Sequence, residues 1–93
     1  MKRVANGGMW LPDNETDPIM IGAGAQYQGS KLHAALKLVH KARTAIDVGA
    51  HCGLWSVQLG NYFQQVECFE PLPIHIECWK RNAGWKGSLH LHE

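Results

Sequence analysis

The sequence predicts an α/β fold built on a small parallel β-sheet. Candidate helices and candidate strands alternate from residue 29 onward. Each strand–helix–strand unit is also short, at about 20 residues, and crossovers of this kind join parallel strands with a right-handed connection. We therefore expect a partial doubly wound, Rossmann-like sheet of about three strands in the order 3-2-1, flanked by three helices.

Length and composition limit the chain to one small domain. Its 93 residues are 45% hydrophobic and 18% charged, which is typical of a globular protein. The formal charge is only +1, whereas nucleic-acid-binding domains are usually strongly basic, so we expect no nucleic-acid partner. No apolar run approaches the roughly 20 residues of a membrane span, so we expect no membrane partner and a cytoplasmic location. Three unevenly spaced cysteines predict reduced thiols without a disulfide framework.

The first 28 residues differ in character from the rest. Because residues 1–28 are rich in Gly, Asn, Asp and Pro, we predict a mostly irregular N-terminal arm, followed by the α/β domain over 29–93. The first helix is predicted to begin near Gly29 with Ser30 as its N-cap. Its apolar stripe, at helical spacing, is Leu32, Ala35, Leu36 and Val39.

The remaining elements are predicted from short apolar runs that end at Gly or Pro. Residues 44–49 are partly β-branched and stop at a glycine, which favours a buried strand. The elements that follow are a tight turn at 50–53, a helix from 54 to about 59 or 61, a strand at 65–69, a helix from 73 to about 82 and a strand at 88–92.

Acidic and glycine residues stand where the first two strands end. Ligands of doubly wound sheets bind beyond the carboxyl ends of the strands. Gly49 and Gly53 flank the first turn, where a missing side chain lets a ligand approach the backbone. Glu70 ends the second strand 23 residues after Asp47, a spacing that suits hydrogen bonds from ribose hydroxyls. This spacing predicts a site for an adenosine-containing ligand.

Several of these residues also have purely structural interpretations. Asp47 could cap the turn that follows it, and Glu70 could be a solvated strand end. Cys52 is expected to be a packed thiol rather than a nucleophile, because no His–Asp partner set is evident. His90 and His92 share one face of the last strand, but without further ligands at suitable spacing we expect surface histidines and no bound metal.

Two motifs together resemble a known enzyme family. The Asp-Val-Gly-Ala-His-Cys-Gly turn at 47–53 and the Phe-Glu-Pro at 69–71 are similar to the FkbM family of class I S-adenosylmethionine-dependent methyltransferases. That family has an Asp-x-Gly-Ala-Asn-x-Gly turn and a Phe-Glu-Pro at the end of the second strand. The resemblance covers about residues 29–92 and implies only the N-terminal portion of such a domain, truncated after the third strand.

The resemblance implies S-adenosylmethionine as cofactor and the hydroxyl of a sugar or small molecule as methyl acceptor. It assigns Glu70 to the ribose hydroxyls and Pro71 to the adenine edge, and His51 stands where the family has Asn. Tyr27 and Gln28 are candidates to fold over the methionine end, and no catalytic residue is assigned. The implied cofactor contacts are Asp47, Gly49, Ala50, His51, Gly53, Glu70 and Pro71.

The same features allow a second function. In the order 3-2-1 the first strand lies at an edge, where unpaired N–H and C=O groups invite pairing with another chain. We therefore expect a homo-oligomer formed through residues 44–48. Because we expect little or no methyl transfer from these 93 residues alone, the alternative is a non-catalytic nucleoside-binding or oligomerising module that a partner chain completes.

Overall fold

The computed structural model describes residues 1–4 and 6–93 and confirms the predicted α/β fold. Its longest helix has 11 residues, and no helix in the described residues is long and apolar enough to cross a membrane. The elements in chain order are β1 (Lys2–Arg3), β2 (Trp10–Leu11), α1 (Pro18–Ala23), α2 (Gly29–Leu36), β3 (Thr44–Val48), α3 (Leu54–Leu59), β4 (Gln65–Phe69), α4 (Pro73–Ala83) and β5 (Leu89–His92).

The main sheet has three parallel strands in the order β3-β4-β5. In the register, Thr44 is paired with Gln65, and Val66 with Leu89. The strand that comes first in the chain is therefore at an edge and the second is central, as the sequence predicts. The carboxyl ends of β3 and β4 lie side by side, which brings the residues that follow each strand together.

One face of this sheet packs against the helices. Val66, Cys68 and Leu89 point to that face and are buried together with Leu32 of α2 and Trp79 of α4. This packing removes apolar side chains from water, which is the main favourable term in folding.

The opposite face is open. Because side chains alternate along a strand, Ile46, Val48 and Phe69 point away from the helices. Ile46 is 68% exposed and Val48 is 80% exposed. Parallel sheets are normally covered on both faces, so the apolar character of this bare face is notable. Among the described residues nothing covers it.

The prediction of a mostly irregular arm is wrong for much of residues 1–28. β1 and β2 pair as an antiparallel ribbon, with Lys2 opposite Leu11. Helix α1 begins at Pro18, and the Asp17 carboxylate accepts a hydrogen bond of 2.9 Å from the N–H of Ile19, which caps it. The strands have only two residues each, so they are too short for an alternating pattern that would predict them. The division into an arm and a domain at 28/29 stays a prediction.

Helix α2 also differs from its prediction at both ends. Gln28 precedes the helix with φ of 55°, and Ser30 lies inside the first turn, so Ser30 is not the N-cap. The helix ends at Leu36, which leaves Val39 in the following connection. The left-handed residue at Gln28 redirects the chain and starts the helix earlier than a serine cap would.

Asn82 joins the N-terminal ribbon to the main sheet. Its side-chain oxygen accepts a hydrogen bond of 2.7 Å from the N–H of Trp10, and its amide nitrogen donates to the carbonyl of Trp10 at 2.8 Å. The same nitrogen donates to the carbonyl of Cys52 at 2.8 Å. Asn82 is buried, so these three bonds form away from water and satisfy backbone groups that lack other partners.

Replacing Asn82 tests this connection. Asn82→Ala leaves one N–H and two carbonyl groups without their partner, and we expect the free energy of unfolding to fall by about 2 to 4 kcal/mol. Urea unfolding at neutral pH measures the change. Asn61→Ala is the control, because Asn61 is exposed, and it should change the value by no more than about 0.5 kcal/mol. Equal losses in the two variants would contradict the role given to Asn82.

Candidate functional site

The turn between β3 and α3 has an unusual backbone. Gly49, His51 and Gly53 all have positive φ, at 72°, 56° and 87°. Glycine adopts this region freely, and His and Asn enter it more readily than most residues do. At Gly53 a Cβ would lie 3.0 Å from the Trp79 ring, so glycine also permits close packing there. The N–H of Gly49 donates to the Phe69 carbonyl at 2.9 Å, which holds the turn against the end of β4.

Glu70 fixes this turn from the neighbouring strand. Its Oε1 accepts a hydrogen bond of 2.7 Å from the N–H of His51, and its Oε2 accepts one of 3.0 Å from the N–H of Leu72. His75 Nδ1 lies 3.4 Å from Oε2. Burial alone would raise the pKa of this carboxyl, but the three contacts outweigh burial and lower the pKa below its ordinary value. Glu70 is therefore a buried, ionised anchor rather than a solvated strand end.

Asp47 belongs to a second buried network. Its Oδ2 accepts a hydrogen bond of 2.6 Å from the Ser56 hydroxyl, and the Ser56 oxygen accepts one of 3.0 Å from Trp79 Nε1. Burial raises the pKa of Asp47, the bond from Ser56 opposes this, and the nearby Glu70 charge raises the pKa further. The carboxylate thus joins β3 to α3 and α4 through Ser56.

His51 and His75 lie against each other beside Glu70. Their ring centroids are 3.7 Å apart at an angle of 37°. Burial lowers the pKa of His51, and the neighbouring His75 lowers it further. A neutral His51 can accept a hydrogen bond, yet its buried Nδ1 has no partner among the described residues.

Sequence reasoning missed Ser56 and His75. Ser56 is a polar residue within the apolar run of α3, a pattern that can indicate a buried hydrogen bond. His75 stands in the first turn of a helix that begins with Pro73, near the end of β4. The sequence predicts that position of His75. It does not predict the contact of His75 with Glu70, because that contact depends on side-chain orientation.

A cleft of about 520 Å³ opens beside β3 and the turn. Four of the predicted site residues line it: Asp47, Gly49, Ala50 and His51. Tyr27 and Gln28 line it as well. The other three predicted residues do not: Gly53 is buried at the start of α3, Glu70 lies behind His51, and Pro71 is exposed.

The cleft has the general features of a small-molecule pocket. Its volume is within the range of small-molecule pockets, and most of its walls are apolar. A Cβ at Gly49 would meet nothing within 4 Å, so the backbone there is open to a ligand. The indole nitrogen of Trp55 and Nδ1 of His51 are buried without partners among the described residues, and both residues line the cleft.

Neither a reactive thiol nor a metal centre is found near the cleft. Cys52 is fully buried, and burial raises the pKa of its thiol far above the ordinary value, so it is a packed residue. In residues 1–4 and 6–93, no three His, Cys, Asp or Glu side chains come together as ligands for a metal ion. His92, considered above as a surface histidine, stacks on Phe69 with ring centroids 4.6 Å apart.

The fold resembles that of methyltransferases. A proposed RNA methyltransferase from Pyrococcus horikoshii matches with a TM-score of 0.63 and 19% identity, over 90% of this chain and 45% of that one. Phosphoethanolamine N-methyltransferase 1 from Haemonchus contortus, in complex with phosphoethanolamine and S-adenosylhomocysteine, matches with a TM-score of 0.60 and 15% identity, over 85% of this chain and 18% of that one.

These likenesses show a methyltransferase-like fold. The chain spans less than half the length of either protein. No family model and no curated protein matches the sequence. The narrower resemblance to the FkbM family therefore stays a prediction.

The pH dependence of stability tests the role of Glu70. Because its pKa in the folded protein lies below the ordinary value of 4.5, the unfolded chain binds more protons as the solution is acidified. The stabilisation is fully present above about pH 4.5 and is lost as the pH falls through the folded pKa. We expect Glu70→Gln to be less stable at neutral pH and to lose less stability on acidification. Urea unfolding at a series of pH values measures both effects.

Glu77→Gln is the matched control, because Glu77 is exposed on α4. It should keep the wild-type response to acid. The raised pKa of Asp47 acts in the opposite direction, so the comparison with Glu70→Gln is more informative than the wild-type curve alone. Identical acid responses in wild type and Glu70→Gln would show that Glu70 is not the anchor described above.

Proposed function

We propose that this chain binds S-adenosylmethionine as the cofactor part of a methyltransferase. The observation that carries the proposal is the cleft beside the carboxyl end of β3, where the backbone at Gly49 is bare and mostly apolar walls border a ligand-sized space. Doubly wound sheets bind ligands at this edge. The likeness to two methyltransferase folds, one of them holding S-adenosylhomocysteine, supports this choice of ligand.

The residues around the turn have distinct proposed roles. Asp47, Gly49 and Ala50 line the cleft where the methionine and ribose parts of the cofactor are proposed to lie. Gly53 and Pro71, which the resemblance also assigns to the cofactor, lie outside the cleft walls. The family resemblance assigns Glu70 to the ribose hydroxyls, but here its carboxylate lies behind His51 and accepts two backbone N–H groups. By holding the N–H of His51, the same carboxylate also fixes the shape of the turn.

The proposed acceptor is a hydroxyl of a sugar or small molecule. The two similar structures carry different names, one for RNA and one for phosphoethanolamine, so a shared fold does not select an acceptor. Methyl transfer depends mainly on aligning the acceptor with the sulfonium methyl group. We propose that the 93 residues alone transfer methyl groups weakly or not at all, because the bare edge of β3 leaves the cleft open to water.

Calorimetric titration with S-adenosylhomocysteine tests cofactor binding. We expect wild type to bind, and Glu70→Gln to bind about 10- to 100-fold more weakly, because an amide nitrogen cannot replace a charged oxygen acceptor. Glu77→Gln should bind like wild type. Circular dichroism of each variant confirms that it is folded before titration.

The result separates two explanations. Equal weakening by Glu70→Gln and Glu77→Gln would indicate a general charge effect. No binding of millimolar ligand to folded wild type would overturn the proposed function.

A second candidate function is an oligomerising module, and the state of β3 favours it. Within residues 1–4 and 6–93, β3 has a neighbouring strand on one side only, and its outward side chains include the exposed Ile46 and Val48. We propose that two copies associate through Thr44–Val48, which would satisfy the free backbone groups and cover apolar surface.

A lysine on the outward face of β3 tests this association. Ile46→Lys should shift the chain toward monomer in sedimentation, because a charged lysine on an edge strand disfavours its pairing with another chain. Ile19→Lys is the matched control: Ile19 is 71% exposed, close to the 68% of Ile46, but lies on α1. A millimolar dissociation constant already describes a weak association. A wild-type chain that remains monomeric at about millimolar concentration would therefore contradict the proposal.

A further inference from the structure

A second cleft, of about 430 Å³, lies between the N-terminal ribbon and the carboxyl end of α4. It shares no lining residue with the cofactor cleft. Its walls combine positive charge with aromatic rings, and none of its described lining residues is acidic. The residues that matter for its chemistry are Arg3, Trp10, Arg81, Trp85 and Lys86.

The positive charges of this cleft are largely unpaired. In the described part of the chain, neither Arg3 nor Arg81 makes an ion pair. Lys86 donates one hydrogen bond of 2.8 Å, to the Gly60 carbonyl, which leaves two of its three donors available. Three cations without a counter-charge in one concave surface favour an anionic ligand, and guanidinium groups suit phosphate oxygens in particular.

The aromatic rings are held in fixed positions. Trp85 is 73% exposed, yet its indole nitrogen donates to the Asn82 carbonyl at 2.9 Å, so the ring is anchored while much of its surface stays open. The guanidinium carbons of Arg81 and Arg3 lie 5.0 Å and 6.0 Å from the centre of the Trp10 ring. The backbone of Trp10 is itself held by the buried Asn82 side chain, which accepts a hydrogen bond from the Trp10 N–H and donates one to the Trp10 carbonyl.

We propose that this cleft binds a nucleotide, with the base stacked on Trp85 and the phosphate held by Arg3 and Arg81. An anchored, exposed indole is a stacking surface that any base can use. The cation–π contacts with Trp10 alone could serve to hold the ribbon on α4. They do not account for the open surface of Trp85 or for guanidinium groups that lack an anion.

The small total charge of the chain does not oppose this ligand. A charge of +1 argues against a protein that follows a long stretch of backbone phosphates, but one nucleotide needs only the local cations. The nucleotide could be free or could be one unit of a single strand. Both sources present the same base and phosphate, so the experiment has to separate them.

Fluorescence anisotropy with a labelled single-stranded oligonucleotide of about eight residues tests the strand, and calorimetry with AMP tests the free nucleotide. Adenosine, which lacks the phosphate, should bind more weakly than AMP. We expect Trp85→Leu to weaken binding about 5- to 100-fold. We expect Arg81→Gln to weaken it at least about fivefold and, for the strand, to reduce the salt slope by about 0.7.

The control variants change similar residues outside the cleft. Arg43→Gln removes an exposed arginine, and Tyr62→Leu removes a partly exposed aromatic ring. Each should alter binding less than about twofold if the cleft is specific. Binding of AMP with the same dependence on Trp85 indicates a free nucleotide, whereas binding of the oligonucleotide alone indicates a strand.

Three outcomes would overturn the proposal. One is equal weakening by the cleft and control variants, which would indicate a general charge effect. Another is no binding of either millimolar AMP or the oligonucleotide to folded wild type. The third is equally tight binding of a polyglutamate peptide, which would show that the cleft receives an acidic protein segment instead.

Discussion

The carboxylate of Glu70 is the contact on which the geometry of the candidate cofactor site depends. It lies at the end of β4 and binds the backbone of both the β3–α3 turn and the segment that leads into α4. A buried charge is stable only when hydrogen bonds replace its water, and here the protein supplies them. The β3–α3 turn can bring its backbone to the Glu70 carboxylate because three of its residues adopt positive φ. The shape of the cleft therefore follows from a single carboxylate and a backbone that only a few residue types can form.

Two buried carboxylates stand near each other at this edge and behave differently. Glu70 accepts two backbone N–H groups, and its pKa is lowered, whereas Asp47 accepts one hydroxyl, and its pKa is raised. Burial is the main cause of the raised pKa of Asp47, whereas at Glu70 the backbone N–H donors and His75 outweigh burial. The surroundings of Glu70 thus favour its charged form more than those of Asp47 do. Asp47 instead links β3 to α3 through its hydrogen bond from Ser56.

The main sheet could be predicted from the sequence because its signals are local. Strands β3 and β4 are short apolar runs that end beside Gly49 and Glu70, and the turn is marked by two glycines. The N-terminal ribbon could not be predicted, since its two-residue strands depend on Asn82, which is 72 residues away from Trp10 in the chain. The same limit applies within the site. The sequence places Glu70 at the correct strand end, but only the folded chain shows it behind His51 rather than in the wall of the cleft.

The open side of the sheet connects the cofactor site to self-association. On the bare face, the Phe69 side chain is 40% exposed because His92 stacks on its ring. Ile46 and Val48 on the edge strand are more exposed than Phe69. The unpaired backbone groups of β3 lie at this same edge. A strand added beside β3 would therefore satisfy hydrogen bonds and extend the sheet in one step. Because Ile46 and Val48 also line the cofactor cleft, such a strand would add a wall to the cleft as well. A strand that completed the sheet would therefore also close the candidate site, whichever chain supplied it.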